Sequence, residues 1–206
     1  MSSSNKVGWF VFVFLAVSVG LYPLVYWITE GKMGLLHSKT EVLLGNTLWN
    51  TVFHINLLFG GIALLVGWTQ LSKKLKKERP GIYRDLGKVY LLSVPISGLC
   101  AVYLAFFSTG GWISSLGFIV LGLTWLYTTA KAYSANKKKD VSLFYGMMIY
   151  SYAACYAAVT LRFWLPVLLA TIGNFPVVYK TVAWLCWVPN MLFAYFWVRR
   201  KGLQLG

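Results

Sequence analysis

Six long apolar stretches follow one another along the chain, and the charged residues are concentrated in the short segments between them. The stretches cover residues 8–28, 47–71, 89–108, 112–133, 142–170 and 181–198. A helix that crosses the hydrocarbon core of a bilayer needs about 20 mainly apolar residues. The runs are continuous, whereas the strands of a transmembrane barrel alternate in polarity. The pattern therefore predicts an all-α polytopic membrane protein, a bundle of six transmembrane helices in a single domain over residues 1–206.

The first stretch follows a short polar start, as a secretory signal would. Its apolar run is too long for a signal peptide, and no convincing cleavage site of small residues follows it. We therefore expect residues 8–28 to be retained as the first transmembrane helix, bent near its outer end by Pro23.

The composition agrees with a membrane protein and excludes several other classes. Hydrophobic residues make up 58% of the chain and charged residues only 12%, whereas soluble domains are about a quarter charged. Three cysteines are too few for a disulfide-stabilised scaffold. The net charge of +14 would suggest nucleic-acid binding in a soluble protein. In this composition it indicates membrane topology, and no nucleic-acid partner is expected.

The basic residues are distributed unequally over the two sides of the predicted bundle. One side carries 15 of the 19 Lys and Arg residues, at Lys6 and in segments 73–88, 131–139 and 199–201. The other side carries three, at Lys32, Lys39 and Lys180. Because short basic loops stay in the cytoplasm, this distribution predicts a multi-pass protein of a bacterial inner membrane with both termini cytoplasmic.

The segment after the second stretch contains a cluster of four lysines, Lys73, Lys74, Lys76 and Lys77. Lys and Arg residues beside a span attract anionic lipid by about 1 kcal/mol per residue near the surface. The cluster is thus a candidate anionic-lipid site, with the alternative that it only fixes topology.

After Pro80-Gly81, the apolar residues Ile82, Leu86 and Tyr90 recur at helical spacing. They predict a short interfacial helix before the third span.

Seven tryptophans lie near the predicted span ends, at Trp9, Trp27, Trp49, Trp68, Trp112, Trp164 and Trp197. Tryptophan is enriched at both membrane–water interfaces. We interpret these residues as interface anchors and not as a surface on which bases or sugars stack.

His54 and Arg162 lie deep within predicted spans, where such side chains are costly and mark candidate functional sites. At 1.5 Å per residue, they lie about 10 Å and about 12 Å below the same outer boundary. Small and polar residues share a helix face with each of them, which predicts that both faces look into the bundle. The candidate ligand-binding residues are His54, Arg162, Asn50, Ser151 and Asn190, the last beside Pro189 in the sixth stretch.

These residues allow a structural and a functional interpretation. In the structural one, Arg162 reaches the outer interface or pairs with Glu41, and His54 hydrogen bonds a carbonyl. In the functional one, Arg162 holds an anionic or carbonyl-bearing ligand, such as a quinone-like or lipid molecule, and His54 donates or carries a proton. A non-catalytic subunit or scaffold remains the alternative from a different class.

Other chemistries find less support in the sequence. Cys100, Cys155 and Cys186 lie on three different spans without metal-binding spacing, so no metal site is expected. A haem held by two histidines would need His37, in a predicted outer loop, as partner of His54. Nucleotide-binding and hydrolase motifs are absent, and neither an inverted repeat nor paired broken helices are evident. No reaction is predicted.

Three blocks of residues resemble a family of predicted bacterial membrane proteins of unknown activity, domain of unknown function 2306. The blocks are Phe53-His54-Ile55 with Gly60-Gly61-Ile62-Ala63-Leu64-Leu65 and Gln70, then Tyr83-Arg84-Asp85-Leu86-Gly87-Lys88-Val89-Tyr90-Leu91, and finally Ser151-Tyr152-Ala153 through Ala157-Ala158-Val159-Thr160-Leu161-Arg162. They reach from about residue 50 to residue 167. The resemblance implies a helical membrane bundle in which His54 and Arg162 match the family pattern.

The resemblance also bears on haem. Histidine-bearing bundles of this kind are similar to membrane b-type cytochromes, and the family pattern has histidines at the start of its second block and of its third span block. Here those positions are Tyr83 and Phe144. A haem b is therefore the third hypothesis, after ligand binding and a scaffold role, and it predicts a Soret band in the purified protein.

The double variant His54→Ala/Arg162→Ala separates a binding protein from a scaffold. A scaffold is expected to stay folded and assembled, because its polar groups serve only packing. A binder is expected to lose its co-purifying small molecule, which native mass spectrometry of the detergent-purified protein measures. If the double variant keeps that molecule, the predicted pocket is wrong.

Overall fold

The structure, a computed structural model, describes residues 3–24, 43 and 45–203, with side chains from residue 6 onward. Within these ranges the chain forms helices and no strand. The α-helices are α1 (Ser3–Gly20), α2 (Thr47–Gly67), α3 (Lys73–Glu78), α4 (Pro80–Ala105), α5 (Trp112–Lys137), α6 (Val141–Cys155), α7 (Ala157–Ile172), α8 (Phe175–Leu185) and α9 (Val188–Arg200), with a 3-10 turn at Trp68–Leu71. The prediction of an all-α architecture is confirmed for the described residues.

Six helical segments of the described chain are long and apolar enough to cross a membrane. They are Lys6–Leu24, Thr47–Leu71, Pro80–Ala105, Trp112–Lys137, Val141–Ile172 and Phe175–Arg200. Each overlaps one predicted stretch, and the second coincides with its prediction. Residues 25–28, the predicted end of the first span, lie outside the described residues. Length and polarity were thus sufficient to find the spans.

The third span differs from its prediction, because it begins at Pro80 and not at residue 89. Pro80 occupies the first helical turn, where a missing N–H is no loss. Gln70 Nε2 donates to the Tyr83 carbonyl at 3.0 Å, and the Tyr83 hydroxyl donates to the Gln70 carbonyl at 3.3 Å. These bonds join the first turns of α4 to the end of the second span. The predicted interfacial helix is therefore the first part of α4, and the prediction of a separate element was wrong.

The fifth and sixth spans are each broken near their middle. The fifth is interrupted at Tyr156, between α6 and α7, and the sixth at Cys186–Trp187, between α8 and α9. Pro189 lies in the first turn of α9, which accounts for the second break, since proline cannot continue a helical hydrogen-bond ladder. Each interruption is confined to one or two residues within a single candidate span, Val141–Ile172 or Phe175–Arg200, so the expectation that paired broken helices are absent stays a prediction.

Close approach of α2 to its neighbours organises the centre of the bundle. Gly67 lies against two tyrosines that are almost fully buried, Tyr90 (0% exposed) and Tyr152 (1%). The Tyr152 hydroxyl donates to the Leu64 carbonyl at 2.9 Å. On another face of α2, Gly61 meets Pro23 and the Gly20 carbonyl at the end of the first span. The small residues of α2 therefore let three helices contact it closely, as its sequence indicated.

The two ends of the bundle differ in charge. One end, here called the basic end, comprises residues 72–79, 137–141 and 199–203. The opposite end, called the distal end, comprises residues 45–46, 106–111 and 173–174. Lys and Arg residues occur at the basic end in all three segments, so the chain's basic residues meet there in space as well as in the sequence pattern.

The contact at Gly67 predicts a strong effect of a single methyl group. In Gly67→Ala, the new Cβ would lie 2.5 Å from Tyr152 Cδ2 and 2.6 Å from Tyr90 Cε2, and both rings are fixed by burial. Overpacking of this kind costs about 1–3 kcal/mol, so thermal unfolding in detergent is expected at a lower temperature. Gly81→Ala is the control, because no atom lies within 4 Å of its Cβ position. Equal stability of the two variants would contradict the packing described here.

Candidate functional site

A partly open cavity of about 270 Å³ lies between six helices in the distal half of the bundle. Its lining is mostly apolar and includes several small residues. It consists of Trp49, Phe53, Asn56 and Gly60 of α2, Ser97, Ala101, Leu104 and Ala105 of α4, Ser108 between α4 and α5, Phe118, Leu121, Gly122 and Trp125 of α5, Ala154, Cys155, Ala157, Ala158 and Leu161 of α6 and α7, Tyr179 of α8, and Cys186. At Gly60 and Gly122 a Cβ would lie 3.0 Å from Ser97 Oγ and 2.8 Å from Val102 Cγ2, so these glycines let the helices approach closely beside the cavity.

Two polar groups on α2 face this largely apolar environment. Trp49 is only 2% exposed, and among the described residues its indole N–H finds no hydrogen-bond acceptor. Asn56 donates from Nδ2 to the carbonyl and the hydroxyl of Ser97, at 2.9 and 3.1 Å. Because both bonds use the amide nitrogen, the amide oxygen remains as an acceptor. The cavity therefore combines an unused donor with an acceptor on one wall.

A closed ring of hydrogen bonds lies beside the cavity and begins and ends on Trp125. Its indole N–H donates to the Tyr90 hydroxyl at 3.2 Å, and the Thr129 hydroxyl donates to the Trp125 carbonyl at 2.7 Å. Between them, the Ser151 hydroxyl lies 2.7 Å from the Tyr90 oxygen and 2.6 Å from the Thr129 oxygen. An indole N–H only donates and a carbonyl only accepts. Tyr90 must then donate to Ser151, and Ser151 to Thr129.

The ring gives Ser151 a structural role. Ser151 is fully buried, and its hydroxyl both donates and accepts within the ring. Desolvating a hydroxyl without a partner is costly, so the ring fixes α4, α5 and α6 against one another. The ligand-binding role that the sequence suggested for Ser151 remains a prediction, and its proton is already used by Thr129.

His54 is exposed on the surface of the bundle and hydrogen bonds within its own helix. Its Nδ1 lies 2.7 Å from the Asn50 carbonyl, and its ring stands edge-on to Phe53 at 5.6 Å between centroids. Because a carbonyl only accepts, Nδ1 carries a proton, and in the neutral ring Nε2 is left as an acceptor. This is the carbonyl bond of the structural interpretation, made by the predicted neighbour Asn50.

Arg162 is half-buried and points toward the end of the first span. One guanidinium nitrogen donates to the Ala158 carbonyl at 2.9 Å, and the guanidinium carbon lies 4.5 Å from the centroid of the Tyr22 ring. A cation over an aromatic face is worth about 0.5–2 kcal/mol. The pairing with Glu41 proposed from the sequence lies outside the described residues.

The pair expected to form the pocket borders the cavity but does not line it. His54 follows Phe53 and Arg162 follows Leu161, and both of these preceding residues are lining residues. The end of the first span contacts both helices, through Tyr22 on Arg162 and through Pro23 on Gly61. A ligand held jointly by His54 and Arg162 remains a prediction.

Asn190 connects the two broken spans. Its Nδ2 donates to the Cys186 carbonyl at 3.0 Å and to the Thr160 hydroxyl at 3.2 Å, and it lies 3.4 Å from the Ala153 carbonyl. The Thr160 hydroxyl also donates to the Cys186 carbonyl. A break in a transmembrane helix frees carbonyls that lipid cannot satisfy. The side chain of Asn190 supplies the missing donors, which gives it a role in the fold next to its predicted role in binding.

The sequence analysis missed the cavity wall on α2. Trp49 was interpreted as an interface anchor, but it is buried inside the bundle. The lining residues Trp49, Phe53, Asn56 and Gly60 have the spacing i, i+4, i+7 and i+11, which places them on one helix face. Asn50 and His54 begin the same spacing one position further along the helix. A helix carries several such faces, and the pattern does not say which one meets a cavity.

Comparison with protein families gives one match. Residues 51–198 match the family described as predicted membrane protein (DUF2306). The chain belongs to this family. The resemblance found in the sequence is confirmed, and the protein is a multi-pass membrane protein. No curated protein and no solved structure matches the chain.

The DUF2306 region includes nearly all of the candidate site. Of the cavity lining, only Trp49 lies before residue 51. His54, Ser151, Arg162 and Asn190 also lie within the matched region, whereas Lys201 lies beyond it. The cavity is thus built from the part of the chain that defines the family.

The metal and haem hypotheses depend on the chain's few histidine and cysteine side chains. In the part of the chain that the structure describes, no group of three His, Cys, Asp or Glu residues forms a candidate metal site. Cys100, Cys155 and Cys186 are free thiols, and the latter two are buried among apolar residues. His37, the second imidazole that a haem would need, lies outside the described residues. The haem hypothesis stays a prediction.

Asn190→Leu tests whether this side chain holds the broken spans together. The change keeps a similar volume and removes the amide donors, so a stability loss of about 1 kcal/mol is expected, in line with hydrogen bonds inside membrane bundles. Met191→Leu is the matched control, because it alters the neighbouring half-buried position without removing a hydrogen bond. Unfolding in mixed micelles measures both. If the stability of Asn190→Leu is unchanged, Asn190 does not hold the two broken spans together.

Proposed function

We propose that the protein binds a small, mainly apolar molecule inside its helical bundle. The observation that carries the proposal is the apolar cavity of about 270 Å³, which Trp49 lines and where, among the described residues, the buried indole N–H of Trp49 has no acceptor. An unsatisfied buried donor costs about 1–3 kcal/mol. A ligand that supplies an acceptor there removes this cost, and it also fills space that water enters reluctantly.

The size of the cavity limits the ligand. An engineered cavity of about 150 Å³ with apolar walls binds benzene. A cavity of 270 Å³ is large enough for two fused rings or a short acyl segment. The walls contribute aromatic faces from Phe53, Phe118 and Trp125, against which a flat ring can stack.

The polar groups narrow the ligand class further. Trp49 offers a donor, and the Asn56 amide offers an acceptor after its nitrogen has bonded Ser97. A ring that carries a carbonyl satisfies Trp49, and its reduced hydroxyl form would also satisfy Asn56. A quinone-like molecule has both forms, and it partitions into the membrane. The proposed role is therefore binding of a quinone-like molecule, without an assigned reaction.

The experiment uses 2-methyl-1,4-naphthoquinone as the probe and calorimetric titration into the full-length protein in detergent micelles. The wild-type protein is expected to bind in saturable, one-to-one fashion. Ala101→Phe places a ring in the cavity and is expected to abolish binding, whereas Trp49→Phe removes only the donor. Loss of one hydrogen bond of about 1 kcal/mol corresponds to about a fivefold weaker affinity for Trp49→Phe.

Matched controls use positions away from the cavity. Ala170→Phe and Trp112→Phe make the same chemical changes at exposed positions and are expected to bind as the wild type does. Binding that persists in Ala101→Phe would place the probe elsewhere and contradict the proposal. A wild-type protein that binds none of the probe while fully folded would favour the non-catalytic accessory subunit.

We further propose that the basic end faces the cytoplasm of a bacterial cell and that the cavity lies in the outer half of the inner membrane. The segregation of Lys and Arg to one end supports this orientation. Alkaline phosphatase, which is active only in the periplasm, is expected to be active when fused after residue 110 and inactive when fused after residue 203. The reverse activities would contradict the orientation and would place the cavity in the inner half.

A further inference from the structure

Two adjoining cavities lie at the basic end of the bundle, where the membrane spans end. The first, of about 660 Å³, is lined by Lys73, Lys76, Lys77 and Lys201, and is called the lysine cavity here. The second, of about 430 Å³, is lined by Lys76, Arg84, Lys88 and Lys139, and is called the adjacent cavity. Gln70, Lys76 and Val141 line both. Lys76 therefore stands between two basic concavities.

The carboxylates at this end do not neutralise these side chains. Among the residues that the structure describes, no carboxylate lines the lysine cavity. Asp140 lines the adjacent cavity, where it caps α6 by accepting a hydrogen bond from the Leu143 N–H at 2.9 Å. Asp85 pairs with Lys88 at 3.0 Å in an exposed ion pair, which is weak in water. Lysine and arginine side chains therefore outnumber carboxylates around both cavities.

The lysines come from distant parts of the chain and are held near one another by the fold. Lys201 Nζ lies 4.6 Å from the Trp197 ring centroid and 5.3 Å from that of Tyr145. Lys76 Nζ lies 5.9 Å from the Tyr83 ring centroid. Burial and the charge of Lys73 lower the pKa of Lys201. The protein thus brings like charges together, a cost that a bound anion would offset.

We infer that the two cavities bind a lipid with two phosphates on one headgroup, such as cardiolipin, with one phosphate in each cavity and Lys76 between them. A single phosphate is far smaller than the combined space, and it would leave one basic cavity empty. The cavities open where the spans end, next to the level of lipid headgroups, and Leu91, Phe144 and Leu203 give them apolar walls. Basic pockets of this kind between transmembrane helices suit lipid headgroups.

The inference separates the lysines of the cluster that the sequence had treated alike. Lys74 lines neither cavity, although it lies in the same helix as Lys73 and Lys76. A diffuse attraction to anionic lipid would depend on all four lysines equally. Lipid affinity at a defined binding site depends most on Lys76 and least on Lys74. Such a site also includes Lys201, which is distant in the sequence. The inference does not depend on the proposed ligand of the internal cavity.

The test titrates cardiolipin into the full-length protein in neutral detergent and counts bound lipid by native mass spectrometry. Loss of one lysine contact of about 1 kcal/mol corresponds to about a fivefold weaker affinity. Lys201→Gln is expected to show this loss, and Lys76→Gln a larger one, because it contacts both phosphates. Lys74→Gln is the matched control and is expected to bind as the wild type does. Thermal unfolding checks that each variant is folded.

Two further arms distinguish the lipid from other anions. Phosphatidylglycerol has one phosphate and is added at twice the concentration so that the total lipid charge is matched. Because it loses about two lysine contacts, its affinity is expected to be at least about tenfold weaker than that of cardiolipin. Inorganic pyrophosphate is expected to compete only weakly, because it lacks acyl chains. Equal binding of phosphatidylglycerol, full displacement by pyrophosphate, or equal losses in Lys74→Gln and Lys76→Gln would each overturn the inference.

Discussion

Lipid hydrocarbon offers no hydrogen bonds, so a polar group inside this bundle is costly unless it finds a partner within the protein. The ring through Tyr90, Ser151 and Thr129 meets this requirement by returning to the residue from which it starts, Trp125. Asn190 meets it at the breaks in the fifth and sixth spans. Because these bonds have no substitute in lipid, they determine how the central helices are placed against one another.

The cavity is a consequence of that placement. Trp125 and Cys186 belong both to the hydrogen-bonded groups and to the cavity wall. With the helices fixed by polar contacts, Gly60 and Gly122 let Ser97 and Val102 approach closely, and the cavity remains where no side chain fills the space between the helices. Apolar packing alone would close such a space, since empty volume forfeits contacts. The bundle thus keeps an apolar cavity at its centre with few polar groups, which is the usual composition of a small-molecule site.

The two ends of the molecule use different physical means of recognition. Inside the distal half, a single donor such as that of Trp49 matters because its surroundings are apolar. At the basic end, each lysine is exposed to water and contributes little alone, so recognition requires several cations fixed in one place. The aromatic rings under Lys76 and Lys201 reduce the freedom of those side chains. The proposed quinone-like ligand and the proposed lipid accordingly depend on separate residues and separate tests.

Much of the architecture followed from the sequence alone. The length and polarity of the six apolar stretches predicted the spans, because lipid imposes a fixed length on each helix. Small residues on the face of His54 predicted that this face looks into the bundle, and blocks around His54 and Arg162 indicated the family. The sequence also singled out Asn190 and Ser151 as unusual polar residues, since polar side chains within apolar runs stand out wherever they point.

The tertiary structure decided which of these polar residues contact one another and which helix faces surround empty space. His54 and Arg162 lie at similar predicted depths, and each bonds a carbonyl of its own helix, but only Arg162 also lies over the Tyr22 ring. Helical spacing defines several faces on each span, and only the packing of six helices selects the face of Trp49 and Asn56 for the cavity wall. In the same way, charge in the sequence predicted a basic side, but the meeting of Lys201 with Lys73 and Lys76 depends on where the last helix ends. The sequence by itself thus determines how each helix partitions into the membrane, because that is local, whereas contacts between helices depend on atoms far apart in the chain.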